Sequence, residues 1–246
     1  MTRDDIARLE RATVAGLAPH RVIERDGWIL ALDSGPMGRA CSAAPLSHDP
    51  PPDLIPALAA EYAAAGLSPA FRMPDLPACA KVRGRLCEAG YRPDEPTWVM
   101  TADPADVAGY GGARANGPEP VLLDVPDGDW EAVFCGPGFD AREGALRVRQ
   151  MARSPGARFG ALRVEGRTLA VGVLSRAGGL AGVHGMRTAP GQRGQGLAGR
   201  ILAAFGRQAL DWGLPGIFLQ VEAGNSARSL YRAAGFREQW RYWYWR

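Results

Sequence analysis

The segment Gly191-Gln192-Arg193-Gly194-Gln195-Gly196-Leu197-Ala198 separates a predicted strand, which ends near Pro190, from a predicted helix. The N-terminus of a helix presents N–H groups that lack helical partners and carry a partial positive charge. Gly194 and Gly196 remove the side chains that would keep an anion away from those groups, and Arg193 adds a full charge on a forked donor. The segment therefore predicts a loop that binds a pyrophosphate.

A glycine-rich loop alone is a weak signal in a chain with 32 glycines, so its context matters. The helix that follows ends before Gly213, which suits a C-terminal cap. Its apolar residues recur with helical spacing, which predicts one buried face. These residues are Ile201, Leu202, Phe205, Ala209 and Trp212.

A second motif lies downstream, in Asn225-Ser226-Ala227-Arg228-Ser229-Leu230-Tyr231-Arg232-Ala233-Ala234-Gly235-Phe236. Asn225 suits the N-cap of a short helix and Gly235 suits its C-terminal cap. The helical spacing places Tyr231 on the face turned toward the sheet. A tyrosine at this place is either a core residue or a residue whose hydroxyl has a task.

The two motifs together resemble those of the GNAT superfamily of acyl-CoA N-acyltransferases. The superfamily signature R/Q-x-x-G-x-G/A matches Arg193, Gly196 and Ala198. The second signature, N-x-x-A-x-x-x-Y-x-x-x-G-F, resembles Asn225, Ala227, Tyr231, Gly235 and Phe236, with one residue fewer between Asn225 and Ala227 than the signature has. The resemblance covers roughly residues 121–246.

The resemblance implies an N-acetyltransferase with acetyl-CoA as co-substrate. Backbone groups of Met186 and Thr188 are expected to pair with the pantetheine arm, and Tyr231 is expected to protonate the departing thiolate. The strands that end near Thr188 and Val221 are expected to splay and admit the acyl group. The expected cofactor-binding residues are Met186, Arg187, Thr188, Arg193, Gly194, Gln195, Gly196, Leu197, Ala198, Gly199, Asn225 and Ala227.

The base for this reaction has two candidates. An amine must lose its proton before it attacks, because an ammonium with a pKa of roughly 10 has no lone pair. His184 is predicted to share a strand face with Met186, and some GNAT branches that resemble arylalkylamine N-acetyltransferases carry a histidine here that acts through water. The alternative is a hydrogen-bonded histidine without a proton-transfer role. Glu222 is the second candidate, with a solvated carboxylate as its alternative.

The first and second halves of the chain also resemble each other. Residues 86–92 parallel residues 231–237, because each segment ends a helix with a glycine and precedes an aromatic-rich strand. We expect an α/β fold with two GNAT-like domains, each a mixed, mostly antiparallel sheet flanked by helices. The predicted division is a degenerate, non-catalytic domain over 1–104, a linker over 105–120 and a catalytic domain over 121–246. The first domain is expected to serve the shape of the protein or the recognition of the acceptor.

The first half lacks the predicted machinery. Pro50-Pro51-Pro52 stands where the loop is expected, and proline has no N–H to offer a phosphate. Leu86 stands where the second half has Tyr231. The sequence therefore predicts one functional site, in the second half. An unrelated α/β domain in the first half is the alternative interpretation.

Periodicity predicts the individual elements. The first half reads as helices over 4–17, 53–65 and 78–89, with strands over 27–32, 39–44, 70–72 and 97–101. In the second half, a helical segment over 130–151 precedes strands over 158–164, 168–174 and 181–188. The order then predicted is helix 197–212, strand 217–221, helix 226–234 and strand 239–245.

Composition narrows the partners. A net charge of +3, with 46% hydrophobic and 22% charged residues, predicts a globular protein with no nucleic-acid or membrane partner. The scattered cysteines and three histidines predict no metal site, and Cys41, Cys79, Cys87 and Cys135 are interpreted as buried thiols in the cytoplasm.

The expected partner is a small-molecule or peptide amine acceptor, and the chain is expected to be a monomer or homodimer. Two other classes stay open. One is a non-catalytic acetyl-CoA-binding sensor. The other is a nucleic-acid-binding module, suggested by the aromatic residues and arginine of 240–245. A buried last strand, part of which lines the acceptor pocket, is the simpler interpretation of that segment.

Overall fold

The computed structural model describes residues 2–111, 117–137 and 140–246, which form a mixed sheet flanked by helices. The helices are α1 (Arg3–Ala15), α2 (Ile55–Ala64), α3 (Ala80–Glu88), α4 (Pro104–Gly109), α5 (Gly128–Phe134), α6 (Ala141–Ala152), α7 (Leu197–Asp211) and α8 (Arg228–Ala233). The strands are β1 (Arg21–Arg25), β2 (Trp28–Leu32), β3 (Ala43–Pro45), β4 (Phe71–Pro74), β5 (Pro93–Ala102), β6 (Val121–Leu123), β7 (Arg158–Val164), β8 (Arg167–Ala177), β9 (Leu180–Thr188), β10 (Ile217–Glu222) and β11 (Arg237–Trp245).

The strands of the described residues form one eleven-stranded sheet in the order β1-β2-β3-β4-β11-β5-β10-β9-β8-β7-β6. The two halves repeat one pattern, in which β3 and β4 run parallel with α2 between them in the chain, as β9 and β10 do with α7. The halves then exchange their last strands, because β11 pairs with β4 and β5 pairs with β10. The repeat is thus present in the topology, and the sheet is continuous through both halves.

Helices cover both faces of this sheet. Neighbouring residues of a strand point to opposite faces, so Val99 packs with α1 while Met100 packs with α7. Helices α1, α5 and α6 lie on the first face. On the second face, α2 and α3 cover the strands of the first half, while α4, α7 and α8 cover those of the second half.

The first part of the predicted linker is helical. Asp103 accepts a hydrogen bond from the backbone N–H of Ala105 at 2.8 Å and so caps α4. A Cβ on Gly206 would lie 2.3 Å from the backbone nitrogen of Ala108, so the glycine permits the close contact of α7 with α4. Residues 112–116 of the predicted linker lie outside the described residues. The division into domains at 104 and 120 stays a prediction.

Most predicted elements are present with their ends shifted by a few residues, and the differences fall in four places. Edge strands β1 and β6 were not predicted. The predicted strand over 39–44 begins instead as a 3₁₀ turn, Gly38–Ala40. The helical segment predicted over 130–151 is two helices, and residues 138–139 between them lie outside the described residues. The four cysteines are free, but of these four only Cys79 is buried, since Cys41 and Cys135 are partly buried and Cys87 is exposed.

Candidate active site

The glycine loop before α7 has the backbone geometry that anion binding needs. Gly191, Gly194 and Gly196 have φ angles of +79°, +77° and +79°, which other residues rarely adopt. A Cβ on Gly191 or Gly194 would have no neighbour within 4 Å, so the loop is open on that side. Gly196 is the N-cap of α7, and no side chain caps this end of the helix.

The N–H groups at this end are available to a ligand. In the described part of the chain, no backbone carbonyl accepts a hydrogen bond from the N–H groups of residues 193–196. The Arg193 side chain is exposed, and it makes no hydrogen bond or ion pair to any described residue. Free N–H groups, a helix N-terminus and an unpaired guanidinium together match a pyrophosphate.

Strands β9 and β10 separate next to this loop. Their parallel pairing covers only Ile217–Leu219 against Ala181–Val183. From His184 to Thr188, the edge of β9 that faces β10 has no strand partner, while its other edge pairs with β8. The predicted splay of these strands is confirmed, and it leaves backbone donors and acceptors free along β9.

A β-bulge changes the direction of the side chains at the splay. The register of β9 against β8 shifts between the pairs Val173↔His184 and Val171↔Arg187. Gly185, with φ +58°, lies in this bulge. The sulfur of Met186 lies against Gly172 on the α7 face, whereas His184 packs against Phe218 on the α1 face. The prediction that His184 and Met186 share a face is wrong, because the bulge interrupts the alternation.

His184 is a buried, hydrogen-bonded histidine. Its Nε2 lies 2.9 Å from the hydroxyl oxygen of Ser175, and 5% of the residue is exposed. Burial lowers the pKa of His184 to about 3, and the positive charge of Arg39 lowers it further. The imidazole is therefore neutral at any pH at which the protein is expected to work.

Tyr231 has a buried ring, and its hydroxyl has no partner among the described residues. The ring packs edge-on against Phe236, with 6.1 Å between centroids, and 8% of the residue is exposed. No described residue hydrogen-bonds to the hydroxyl. Burial raises the pKa of Tyr231 to about 12, against the opposing charge of Arg39. The phenol is therefore protonated at neutral pH, which a proton donor requires.

The short helix α8 presents Tyr231, and its start differs slightly from the prediction. The N-cap residue is Ala227 rather than Asn225. Asn225 still supports this end, because its Oδ1 accepts a hydrogen bond from the backbone N–H of Ala227 at 2.9 Å. Gly235, with φ +91°, ends the helix as predicted.

Two cavities meet at Tyr231. The larger one, about 790 Å³, lies between the end of β9, the glycine loop and α8. The smaller one, about 280 Å³, lies on the other side of the splay. Met186, Asn225 and Tyr231 line both cavities. The arrangement brings the predicted cofactor residues to one side and the candidate bases to the other.

The larger cavity contains most of the predicted cofactor residues. Two of these residues also make contacts within the protein. The guanidinium of Arg187 donates hydrogen bonds to the carbonyls of Phe134 and Pro137, at 2.8 and 2.6 Å. A Cβ on Gly199 would lie 2.6 Å from the ring of Tyr110, so this glycine also permits packing. The lining residues that were predicted are Met186, Arg187, Thr188, Arg193, Gly194, Gly196, Leu197, Ala198, Gly199, Asn225 and Ala227.

Both halves of the chain build the smaller cavity. Tyr242 and Tyr244 reach it from β11, as the interpretation of that strand as partly pocket-lining expects. The Tyr242 hydroxyl donates a hydrogen bond to Oε1 of Gln220 at 2.8 Å, which fixes this wall. Glu222 also lines the cavity, and its exposed carboxylate makes no hydrogen bond or ion pair to a described residue.

Sequence reasoning allowed the first half a role in acceptor recognition but named none of its residues at this cavity. Thr97 lines it from β5, and Arg39 lines it from the turn at 38–40. The sequence around Arg39 has no periodic pattern or motif. The strand exchange, which depends on long-range pairing, is what carries these residues to the site.

The described residues contain no cluster of His, Cys, Asp or Glu side chains that could hold a metal ion. The described helices include none with the length and apolar character that crossing a membrane requires.

The splayed strands, the glycine loop and the tyrosine beside them are features that the resemblance to the GNAT superfamily predicts. The chain belongs to the family described as "Probable histone acetyltransferase Rv0428c C-terminal", whose model matches residues 3–245. A search of curated proteins found no significant match.

Solved structures show the same fold. A GCN5-related N-acetyltransferase from Kribbella flavida has a TM-score of 0.71 at 17% identity, over 98% of this chain and 94% of that one. A putative GNAT acetyltransferase from Novosphingobium aromaticivorans has a TM-score of 0.55 at 21% identity, over 97% of each chain. A tandem GNAT protein from the clavulanic acid biosynthesis pathway has a TM-score of 0.60 at 16% identity, over 89% of this chain and 77% of that one. At these identities the likeness concerns the fold.

Proposed function

We propose that the chain is an N-acetyltransferase that moves an acetyl group from acetyl-CoA to an amine by direct attack. The observation that carries this proposal is the meeting of two cavities at Tyr231, where β9 and β10 separate. One cavity has the free N–H groups and the open loop that suit a diphosphate, and its volume of about 790 Å³ suits a large cofactor. The smaller cavity suits a smaller molecule, the amine acceptor, and we call it the acceptor cavity.

The residues at the junction support direct transfer. The free edge of β9 pairs with the pantetheine amides, as an added strand would. A backbone N–H near Met186 polarises the thioester carbonyl. Tyr231 donates its proton to the departing thiolate, and its raised pKa keeps that proton in place until the thiolate forms. Holding acceptor and thioester on the two sides of Tyr231 supplies acceleration through proximity.

Of the two candidate bases, Glu222 fits the structure better than His184. The lowered pKa of His184 makes its imidazole a weak base, and Ser175 occupies its Nε2. The carboxylate of Glu222 lies free at the acceptor cavity. We propose that Glu222 accepts the ammonium proton through water or, failing that, that the amine arrives neutral.

The acceptor class is a small-molecule or peptide amine. The family description, with its reference to histones, makes a lysine side chain one candidate. The degenerate first half, over 1–104, supplies strand β5 and one wall of the acceptor cavity. We expect the protein to act in the cytoplasm, as a monomer or homodimer.

A thiol-release assay with acetyl-CoA and a panel of amines tests this proposal. We expect CoA release that depends on the amine and on Tyr231. CoA binding without transfer to any amine would instead favour the acetyl-CoA-binding sensor. Oligonucleotide binding that weakens with salt would favour the nucleic-acid-binding module. Faster turnover with a longer acyl-CoA would move the donor away from acetyl-CoA.

A further inference from the structure

Arg39 lines the smaller cavity, and no described residue forms a hydrogen bond or an ion pair with its side chain. Its Nε is buried and has no hydrogen-bond partner, and the guanidinium forms no ion pair with any described residue. Its positive charge lowers the pKa of His184, as burial also does. For Tyr231 and Tyr244, the same charge opposes burial, which raises the pKa of both phenols. Arg39 lines the smaller cavity together with these three residues.

The turn that carries Arg39 is fixed from behind. A Cβ on Gly38 would lie 2.9 Å from the ring of Tyr244, so the turn packs directly on β11. The carbonyl of Gly38 accepts a hydrogen bond from the Ser42 hydroxyl at 2.6 Å, and Ser42 accepts one from Nε of Arg72 at 3.2 Å. Arg72 is fully buried and forms an ion pair with Glu10 at 2.8 Å. This support holds Arg39 in place without neutralising it.

The other arginines of the cavity differ from Arg39, because acidic side chains engage them. Arg246 donates to Asp94 and Glu95, at 3.1 and 3.0 Å. Arg147 donates to Glu143 on its own helix, α6, at 2.5 Å. A partly buried charge without a counterion or hydrogen-bond acceptor is costly. Arg39 is therefore the cavity cation whose expected partner is a bound anion.

We propose that the acceptor is a small amine that carries a carboxylate, such as an amino acid, and that Arg39 binds this carboxylate. The guanidinium fork matches a carboxylate in two parallel hydrogen bonds. A cavity of about 280 Å³ suits a molecule of this size. The same cavity contains Glu222, whose free carboxylate matches the amine end. This inference rests on the proposed N-acetyltransferase function.

The phosphates of the co-substrate are an unsuitable partner for Arg39. The glycine loop and Arg193 line the larger cavity, whereas Arg39 lines only the smaller one. The remaining alternative is that Arg39 stabilises charge in the transition state. If Arg39 had that role, its substitution would slow the reaction with every acceptor alike. The effect would not differ between acceptors with and without a carboxylate.

Product analogues test carboxylate recognition without requiring turnover. Binding of a panel of N-acetyl-L-amino acids and their carboxamides to the full chain, with CoA present, is measured by calorimetry. We expect at least one acid to bind about tenfold or more tightly than its carboxamide, because a hydrogen-bonded charge pair is lost in the amide. Arg39→Gln should remove this preference and Arg39→Lys should keep part of it.

A surface variant provides the charge-matched control. Arg85→Gln on α3 removes the same charge outside the cavity and should keep the full preference for the acid. Equal binding of acids and carboxamides, no binding of any acid, or a preference that survives Arg39→Gln would each overturn the inference.

Kinetics then separate this inference from the proposed function. Matched pairs of L-amino acids and their decarboxylated amines serve as acceptors in the thiol-release assay. Efficient transfer to both members of each pair would keep the function and overturn the inference. Acid binding that depends on Arg39, with no transfer to any amine, would keep carboxylate recognition and overturn the acetyltransferase.

Discussion

The loops that follow β3 and β9 occupy equivalent places in the two halves, and they differ in backbone. After β9, three glycines with positive φ leave N–H groups open before α7. After β3, the chain passes through Pro50-Pro51-Pro52 into a 3₁₀ turn, Pro52–Leu54, before α2 begins. Prolines supply no N–H, and Asp49 and Asp53 nearby would repel a phosphate. Equal topology therefore does not imply an equal site.

The helices that precede the last strand of each half show the same contrast. Gly90 and Gly235 end α3 and α8 with φ angles of +94° and +91°. Leu86 is fully buried in the core of the first half, whereas the equivalent residue of the second half, Tyr231, reaches two cavities. The first half repeats the fold and contributes walls of the smaller cavity, while the groups that we propose for catalysis lie in the second half.

The largest effect on CoA binding is expected from substitutions in the glycine loop of the second half. Arg193→Glu should weaken CoA binding about a thousandfold, because it removes a charge-assisted contact and places a negative charge beside the phosphates. Gly196→Val should also weaken binding, since its φ of +79° strains a branched residue. Calorimetry measures both. Arg85→Glu, beside Asp53 in the first half, is the matched control and should bind CoA normally. Unchanged affinity in both loop variants would refute the site.

The second prediction concerns Tyr231. Tyr231→Phe removes only the hydroxyl, so kcat should fall about a hundredfold while the Kd for CoA stays nearly constant. Steady-state kinetics and calorimetry give the two quantities. Turnover at the wild-type rate would reduce Tyr231 to a packing residue like Leu86.

The smallest expected effect concerns His184 and pH. Its pKa is lowered from 6.5 to about 3, so its contribution to stability is complete above pH 6.5 and is lost as the pH falls toward 3. Between pH 7 and pH 5 this loss amounts to about 2 kcal/mol of unfolding free energy. Urea denaturation at both pH values should show a loss smaller by that amount in His184→Gln. An equal loss in both proteins would show that His184 is not buried in its neutral form.

The same burial changes the kinetic expectation for His184. An acid limb of kcat/KM near pH 6 to 7 would have to come from another group, such as the acceptor amine or Glu222. Such a limb should survive His184→Gln. Its disappearance in that variant would restore His184 as the base.

Local patterns allowed the glycine loop and Tyr231 to be predicted from sequence. Arg193, Gly194 and Gly196 specify a backbone conformation and a charge over a few residues, and no distant contact is needed to identify them. The amphipathic spacing of α7 likewise reports its buried face.

The other features of the site could not be predicted from the sequence, because they depend on long-range strand pairing and on a local irregularity of β9. The bulge at Gly185 turns His184 away from Met186, and a strict two-residue alternation cannot reveal it. The exchange of β5 and β11 depends on strand register, which no local pattern encodes. Arg39 becomes a pocket residue only through that packing.

The stoichiometry of CoA binding tests the central claim most directly, because the claim is one functional site in a repeated fold. Calorimetric titration of the full chain should give one CoA per chain, and titration of Arg193→Glu under the same conditions should show no binding in that concentration range. Two CoA molecules per wild-type chain, or one that remains bound in Arg193→Glu, would contradict the account.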